Sequence, residues 1–376
     1  VRIQVERDVL AEAVAWTARA LPARPVVPVL AGIRLHAAAE LTLSSFDYDI
    51  SAEASVPAAA DEEGSALVSG RLLAEITRSL PARPVEIVAD AGRAVLTCGS
   101  ATFTLLTMPE EEYPALPEMP PAAGSVGSDA FATAVTQAVA AAGRDDTLPA
   151  LTGVRIEIDG ETLTLISTDR YRLAVRELRW NPARPDQSAA VLVPARALAD
   201  TARALTSGAE VSIALGLPGD GQGGDGMIGF EGSGRRTTSR LLSGEFPPVR
   251  KLLPTTISAA AELPLSVLSE AVRRVALVAE RGSAVRLAFT PGQLLLEAGT
   301  GDEAQAQEVL EAGYEGADLS IAFNPQYLLD GLSAIESDTV RIAFTEPGKP
   351  ALVTGKPGPD GYADFRYVLM PIRLGG

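Results

Sequence analysis

Few residues in this chain have the types that catalysis demands. It holds one histidine, His36, and one cysteine, Cys98. A protein-bound zinc draws several ligands from Cys, His and carboxylates, and Ser-His-Asp chemistry would have to use that one imidazole. His36 falls in an alternating run after Arg34 and reads as a surface strand residue. The acids Asp47 and Asp49 close a Phe-Asp-Tyr-Asp run and read as a polar turn. The glycine-rich stretch 219–226 lacks Gly-Lys-Ser/Thr and leads into Met227-Ile228-Gly229-Phe230, so it reads as a flexible hairpin rather than a phosphate loop. No catalytic residue, metal site or cofactor is expected. What remains is arginine. Of 32 Lys and Arg only three are Lys (Lys251, Lys349, Lys356), so arginine supplies nearly every positive contact. The net charge of −16 argues against a uniformly basic nucleic-acid binder, but it does not fix where the arginines lie.

At 376 residues the chain has room for two to four domains. A hydrophobic fraction of 47% with 21% charged residues fits globular domains with real cores. No apolar run approaches the roughly 18 residues of a membrane span. The start, Val1 to Asp8, has no signal-peptide apolar core, and one cysteine forms no internal disulfide; a cytoplasmic protein with no membrane partner is expected.

Four blocks recur in one order, three times, at intervals of roughly 120–140 residues. An amphipathic helix begins each unit: Val9-Leu10-Ala11-Glu12-Ala13-Val14, Ala130-Phe131-Ala132-Thr133-Ala134-Val135 and Val267-Leu268-Ser269-Glu270-Ala271-Val272. A strand of period two follows: Gly32-Ile33-Arg34-Leu35, Gly153-Val154-Arg155-Ile156 and Ala284-Val285-Arg286-Leu287. The second helix carries start signals: Ser69 as a cap, Pro194 in the first turn, and Asn324-Pro325 as cap and first residue. Closing strands read Thr102 to Leu106, Thr238 to Leu242 and, more weakly, Ala351 to Thr354. Two helices per unit would pack on antiparallel sheet, an α+β fold. Small-residue and proline-rich breaks at 117–127 and near 254–261 predict domains at 1–120, 126–253 and 257–376. Three such domains make an arc, which a symmetric dimer would close.

At this point the chain resembles a known family, the bacterial DNA polymerase III beta subunits or beta sliding clamps. The resemblance rests on Val5-Glu6-Arg7-Asp8, Arg24-Pro25, Pro28-Val29-Leu30, Ser167-Thr168-Asp169-Arg170-Tyr171-Arg172-Leu173, Phe246-Pro247, Phe323-Asn324 and Met370-Pro371-Ile372-Arg373-Leu374, in order within the repeat. Dominance of Arg and Ala resembles an actinobacterial member. The resemblance implies three DNA-clamp domains per chain and a head-to-tail homodimer, a ring of six domains. It also implies a non-catalytic processivity factor that encircles double-stranded DNA without reading sequence. The implied protein partners are the replicative polymerase alpha subunit, the clamp loader and other proteins carrying a clamp-binding motif.

The family's bore is lined by the paired helices. Here those carry Arg7, Arg19, Arg71, Arg78, Arg144, Arg196, Arg203, Arg273, Arg274 and Arg281, with Arg24 on the first loop; Arg24, Arg71, Arg78, Arg144, Arg196, Arg203 and Arg273 are the DNA-facing candidates. The alternative is ordinary solvated helix charge. The implied peptide pocket comprises Leu151, Thr168, Arg170, Tyr171, Arg172, Leu173, Pro247, Leu252, Tyr327, Val368, Met370, Pro371, Ile372 and Arg373. It would take a peptide with a glutamine and a Leu-Phe-like apolar end, Arg172 and Arg373 bonding its backbone or carboxylates. Arg170 and Tyr171 stand where many members have Gly and His, and the Pro/Gly-rich stretch 355–363 precedes the tail. The implied dimer seam uses Phe103, Leu105, Leu277 and Val278, with Arg93 meeting Asp302, Glu303 or Glu308; the alternative is that Phe103 and Leu105 are core residues of their own sheet. A different reading remains beside this one: a repeat-built scaffold that binds proteins and never DNA.

Overall fold

Apolar residues that return every three or four positions fold as helices. These are α1 (Arg7–Thr17), α2 (Gly70–Ser79), α3 (Ser128–Val139), α4 (Ala195–Ala204), α5 (Leu265–Val275) and α6 (Pro325–Ser333). The structure, a computed structural model, describes residues 1–206, 208–217, 226–279, 283–299, 304–346, 348–357 and 363–373. In α5 the spacing buries Leu268, Ala271, Val272 and Val275 and leaves Arg273 and Arg274 exposed. The start of α6 follows the sequence signal. Asn324 Oδ1 accepts from the backbone N–H groups of Gln326 (2.9 Å) and Tyr327 (3.2 Å), and Pro325 opens the helix. The other two starts differ from expectation. The Ser69 side chain makes no capping bond, and Pro194 ends a strand just before α4.

The strands pair antiparallel throughout the described residues. One compact unit comprises Val1–Ala132, Trp180–Pro185 and Asp200–Leu241. Its strands form a single 14-stranded sheet. Within it Ile50–Val56 pairs with Arg235–Arg240, and the buried hydroxyls of Ser51 and Thr238 bond at 2.6 Å. The first two repeats thus share one sheet. The acids Asp47 and Asp49 form the expected turn: Asp47 Oδ1 accepts from the backbone of Asp49 (3.0 Å) and Ile50 (2.7 Å). His36 lies exposed on the strand Gly32–Ala37. Residues 218–225 of the predicted hairpin lie outside the described residues, but the strands on either side pair Gly216 with Met227.

The other unit comprises Thr133–Arg179, Asp186–Ala199 and Leu242–Gly376 and holds a nine-stranded and a four-stranded sheet. In the larger sheet Arg172–Arg179 pairs with Phe365–Leu369, placing Arg172 opposite Leu369 and Leu173 opposite Val368. The second and third repeats are joined there. The weak closing strand exists as Ala351–Gly355, but it is not the last; Phe365–Leu369 follows and pairs with it. Its core gathers Leu268 and Val272 of α5, Leu328 and Leu332 of α6, and the sheet residues Phe289, Phe323, Ile342 and Tyr367. Burial of each large apolar side chain stabilises by about 1.5–3 kcal/mol.

One contact in this core has no slack. A Cβ on Gly331 of α6 would stand 2.3 Å from the Tyr367 ring, with further ring atoms at 2.5 and 2.9 Å. Tyr367 is fully buried and cannot swing away. Gly331→Ala should therefore destabilise the chain by about 1–3 kcal/mol, the usual cost of overpacking a core. A fall in the denaturation midpoint reads this; an unchanged midpoint would contradict the packing described.

Candidate functional site

The sheet junction of the second unit sets up a surface of mixed aromatic, apolar and polar character. Strand Thr162–Thr168 turns into Arg172–Arg179 through Asp169, Arg170 and Tyr171. Asp169 Oδ1 accepts from the backbone N–H groups of Tyr171 (3.0 Å) and Arg172 (3.1 Å). Thr168 Oγ1 accepts from Arg170 N at 3.1 Å and donates to Arg172 O at 2.7 Å. Such side-chain closure tolerates the left-handed backbone of Arg170 (φ 79°) and leaves Arg170 and Tyr171 exposed.

Beside this turn lies a separate apolar cluster. Ile166, Leu173, Val175, Leu192, Phe246, Val249 and Val368 are buried in it, and Ala150, Leu242, Leu252, Leu253 and Leu352 pack on it partly exposed. This corrects two sequence assignments. Leu173 and Val368 are wholly buried because their strands pair there, so they form the floor rather than a contact surface. Leu151 and Pro247 are partly exposed, in the turn Pro149–Thr152 and just before the turn Val249–Leu252. Ala150, Leu242, Leu253 and Leu352 were missed: the first three lie in short apolar runs outside strands and α-helices that carry no period, and Leu352 lies on the strand Ala351–Gly355, whose pairing with Val368 is long-range. The turn Val249–Leu252 is tethered by Arg250, which bonds Glu157; Glu157 also bonds Arg155 at 2.8 Å. Burial opposes the Glu157 charge, but the two arginines outweigh it and hold its pKa below the ordinary value. The tether is therefore complete above the usual carboxylate range and is lost only as pH falls below it.

The tail crosses the same surface. Met370 N donates to Tyr171 O (2.9 Å) and Ile372 N to Ala322 O (2.8 Å), while the side chains of Met370, Pro371 and Ile372 stay half-buried and Arg373 is exposed. Leu374 and residues 358–362 of the predicted loop lie outside the described residues.

Arg172 departs most from expectation. Its side chain is 6% exposed and is already engaged. The guanidinium bonds Asp169 (2.9 Å) and Asp330 of α6 (2.5 Å), and lies 4.3 Å from the centroid of the Tyr327 ring. The Tyr367 hydroxyl donates to Tyr327 O at 2.8 Å. Burial opposes the Arg172 charge; Tyr367 and the two aspartates outweigh it, and its pKa is raised. Arg172 is a brace, not a free donor for a partner. Tyr327 in turn stacks with Tyr171, ring centroids 6.2 Å apart.

The candidate arginines divide by helix. Arg71 and Arg78 on α2, Arg196 and Arg203 on α4, and Arg273 on α5 are exposed, each opposite a buried face of its own helix. Arg24 is exposed on the loop before the turn Pro28–Ala31. Arg203 bonds Asp200, and Arg274 holds Glu308 at 2.7 Å. Arg144 is not helical; it lies beyond the end of α3. Arg19 sits in the turn Ala18–Ala20, 5.8 Å from the Trp16 ring, and donates to Asp200 O at 2.5 Å. Neither α3 nor α6 bears a Lys or Arg. Arg281, Asp302 and Glu303 lie outside the described residues.

Among the described residues, two of the strands with an unpaired side bear on the predicted seam. Ala101–Met108 pairs with Arg93–Cys98, but on its other side only Thr107 and Met108 are paired. Ala306–Glu311 ends the four-stranded sheet and pairs with Gln293–Ala298 alone. Within the single chain Leu105 points into its own core at 3% exposure and Phe103 is half-buried, whereas Leu106 is 80% exposed. Leu277 is 84% exposed and Val278 packs partly on the core, both in the turn Ala276–Val278 after α5 rather than in the helix. Glu308, a predicted partner of Arg93, is taken by Arg274.

Models of the DNA polymerase III beta subunit match in chain order: the N-terminal domain at 1–117, the central domain at 125–248 and the C-terminal domain at 250–373. A beta sliding clamp of Streptomyces coelicolor is 59% identical over the full length of both chains. The beta sliding clamp homolog GriR of Streptomyces muensis is 43% identical over 99% of each. Among solved structures, the Bacillus subtilis sliding clamp superposes with a TM-score of 0.89 at 26% identity, covering 100% of this chain and 99% of that one. A Pseudomonas aeruginosa sliding clamp bound to griselimycin gives 0.88 at 28% identity, covering 99% of each. The chain belongs to the DNA polymerase III beta subunit family, the non-catalytic sliding clamps of DNA replication.

Proposed function

We propose that two copies of this chain join head to tail into a ring around duplex DNA, with three clamp domains, at 1–120, 126–253 and 257–376, in each copy. The open edge Ala101–Leu106 of one copy would extend the sheet ending at Ala306–Glu311 of the other, since an unpaired strand edge is a template for another chain. Leu106 and Leu277, exposed in the single chain, would be covered. The exposed arginines Arg24, Arg71, Arg78, Arg196, Arg203 and Arg273 would face phosphates, with Arg144 contributing from its loop. The observation that carries this reading is that a chain of net charge −16 presents arginine on the solvent faces of α2, α4 and α5. Acidic remaining surface favours threading over side-on binding. Phosphate contacts carry no sequence information, and binding through them alone permits sliding along the duplex.

The apolar cluster with its aromatic wall and tail strap would dock the polymerase alpha subunit, the clamp loader and other motif-bearing proteins, one at a time. Leu151, Pro247, Leu252, Tyr171, Tyr327, Met370, Pro371 and Ile372 would touch the partner; Thr168, Arg172, Leu173 and Val368 would support them from below, and Arg170 and Arg373 would border the site. No described helix is long and apolar enough to cross a membrane; the cytoplasm is the proposed location.

Loading tests the ring. The chain loaded on nicked circular DNA should stay through gel filtration and slide off once the circle is linearised. Direct binding to linear duplex should be weak and salt-dependent, log affinity falling by about 0.9 per log unit of salt for each phosphate contact. Equal retention on circles and on linear DNA would contradict topological holding and favour the protein-only scaffold.

A further inference from the structure

We propose that Asp330 and Tyr367 are positioning residues for peptide docking: they hold the Arg172 guanidinium beneath Tyr327, and through that ring they set the docking wall and the tail strap. This inference rests on the docking reading above and goes beyond it, because neither residue offers itself to a partner. Tyr367 is fully buried, and Asp330 spends its carboxylate on Arg172 (2.5 Å) and on the Gln326 amide (2.7 Å).

The geometry forms a chain of contacts. Asp169 and Asp330 grip the guanidinium from two sides, one on the turn between strands and one on α6. Two carboxylates bonding different nitrogens of one planar guanidinium fix its plane as well as its place. The Tyr327 ring rests 4.3 Å from that cation, a spacing at which the ring's negative face is attracted. The Tyr367 hydroxyl fixes the same residue from the backbone side, donating to Tyr327 O at 2.8 Å. Tyr171 stacks on Tyr327, and the Tyr171 carbonyl receives Met370 N. Removing the Asp330 charge leaves a buried cation with half its anions, so the guanidinium should turn toward Asp169 and leave the ring. Tyr327, Tyr171 and the tail would then sample several arrangements, and a partner would have to order them on binding.

The test is fluorescence anisotropy with a labelled peptide carrying a glutamine and a Leu-Phe end. Asp330→Asn should weaken peptide binding about tenfold, an effect of about 1.4 kcal/mol, while sedimentation still reports a dimer. Tyr367→Phe removes one hydroxyl from a packed ring and should weaken binding about threefold; it decides the matter if Asp330→Asn does not fold. The brace acts through the ring, so in a Tyr327→Leu background neither substitution should weaken binding further. Unchanged affinity in folded Asp330→Asn and Tyr367→Phe chains overturns the proposal, as does full additivity with Tyr327→Leu, which marks a general loss of structure. Failure of the unsubstituted chain to bind the peptide overturns the docking reading instead, and the brace proposal with it.

Discussion

Cutting the chain before Met370 should abolish docking of a Gln-Leu-Phe-type peptide and leave the dimer intact. The last strand ends at Leu369, and Val368 and Leu369 are both fully buried, so the cut falls just beyond the core. Met370, Pro371 and Ile372 are only half-buried, and the two backbone bonds they lend, to Tyr171 O and Ala322 O, can be replaced by water. Folding therefore loses little. Docking loses much, because the tail supplies one apolar side of a surface whose other sides are Leu252, Pro247 and the tyrosines. Exposing even one of two partner anchors forfeits about 1.5–3 kcal/mol, and stripping cover from both costs more than about 100-fold in affinity. Anisotropy of the labelled peptide measures the loss and sedimentation velocity the dimer. Undiminished peptide binding by the truncated chain would refute the pocket assignment; a monomer would show that the tail also serves the seam.

The same surface shows what was legible in the residues and what was not. The helices could be read because their apolar residues repeat locally: α5 announces itself in Leu268, Ala271, Val272 and Val275, all within eight residues. Asn324-Pro325 signals a helix start by local chemistry alone, and the structure supplies both capping bonds. Arg172 was misread for the opposite reason. Asp169 is three residues away, but Asp330 is 158 residues along the chain, and no period links them. An arginine in a polar motif then looks available when it is spent. Leu105 and Leu106 expose a sharper limit. A strand alternates faces, so the pattern Phe103, Leu105 and the single Leu106 fits either face inward until the partners of the strand are known. The joining of repeats through shared sheets was hidden as well: Ser51 with Thr238, and Leu173 with Val368, are long-range pairings between strands that each look complete.

Leu106→Arg together with Leu277→Arg should convert the dimer to monomers at micromolar concentration. In the isolated chain both side chains already stand in water, at 80% and 84% exposure, so the change costs folding little; surface substitutions of this kind usually stay within about 0.5 kcal/mol. In a closed ring the outcome reverses. Each site would bring a guanidinium into a seam built on strand pairing, where an unpaired buried charge is expensive and like charges from the two substitutions meet. The proposed ring would have two seams related by symmetry, doubling the penalty for closure. A shift of the dimer midpoint by at least about 100-fold follows from losing two leucine burials alone. Leu105→Arg makes a different contrast: its side chain is in the core, so it should lower the denaturation midpoint of the single chain, and any loss of the dimer would follow from that unfolding. Val26→Arg is the matched control, since Val26 is the most exposed of the described large apolar side chains and sits on the Arg24 loop, in neither seam strand. Sedimentation velocity separates these cases, and retention on nicked circles should fall with the dimer. A doubly substituted chain that still sediments as a dimer would place the seam elsewhere. The open strand edges and the two exposed leucines would then need a different partner, and the ring would lose the physical basis offered for it here.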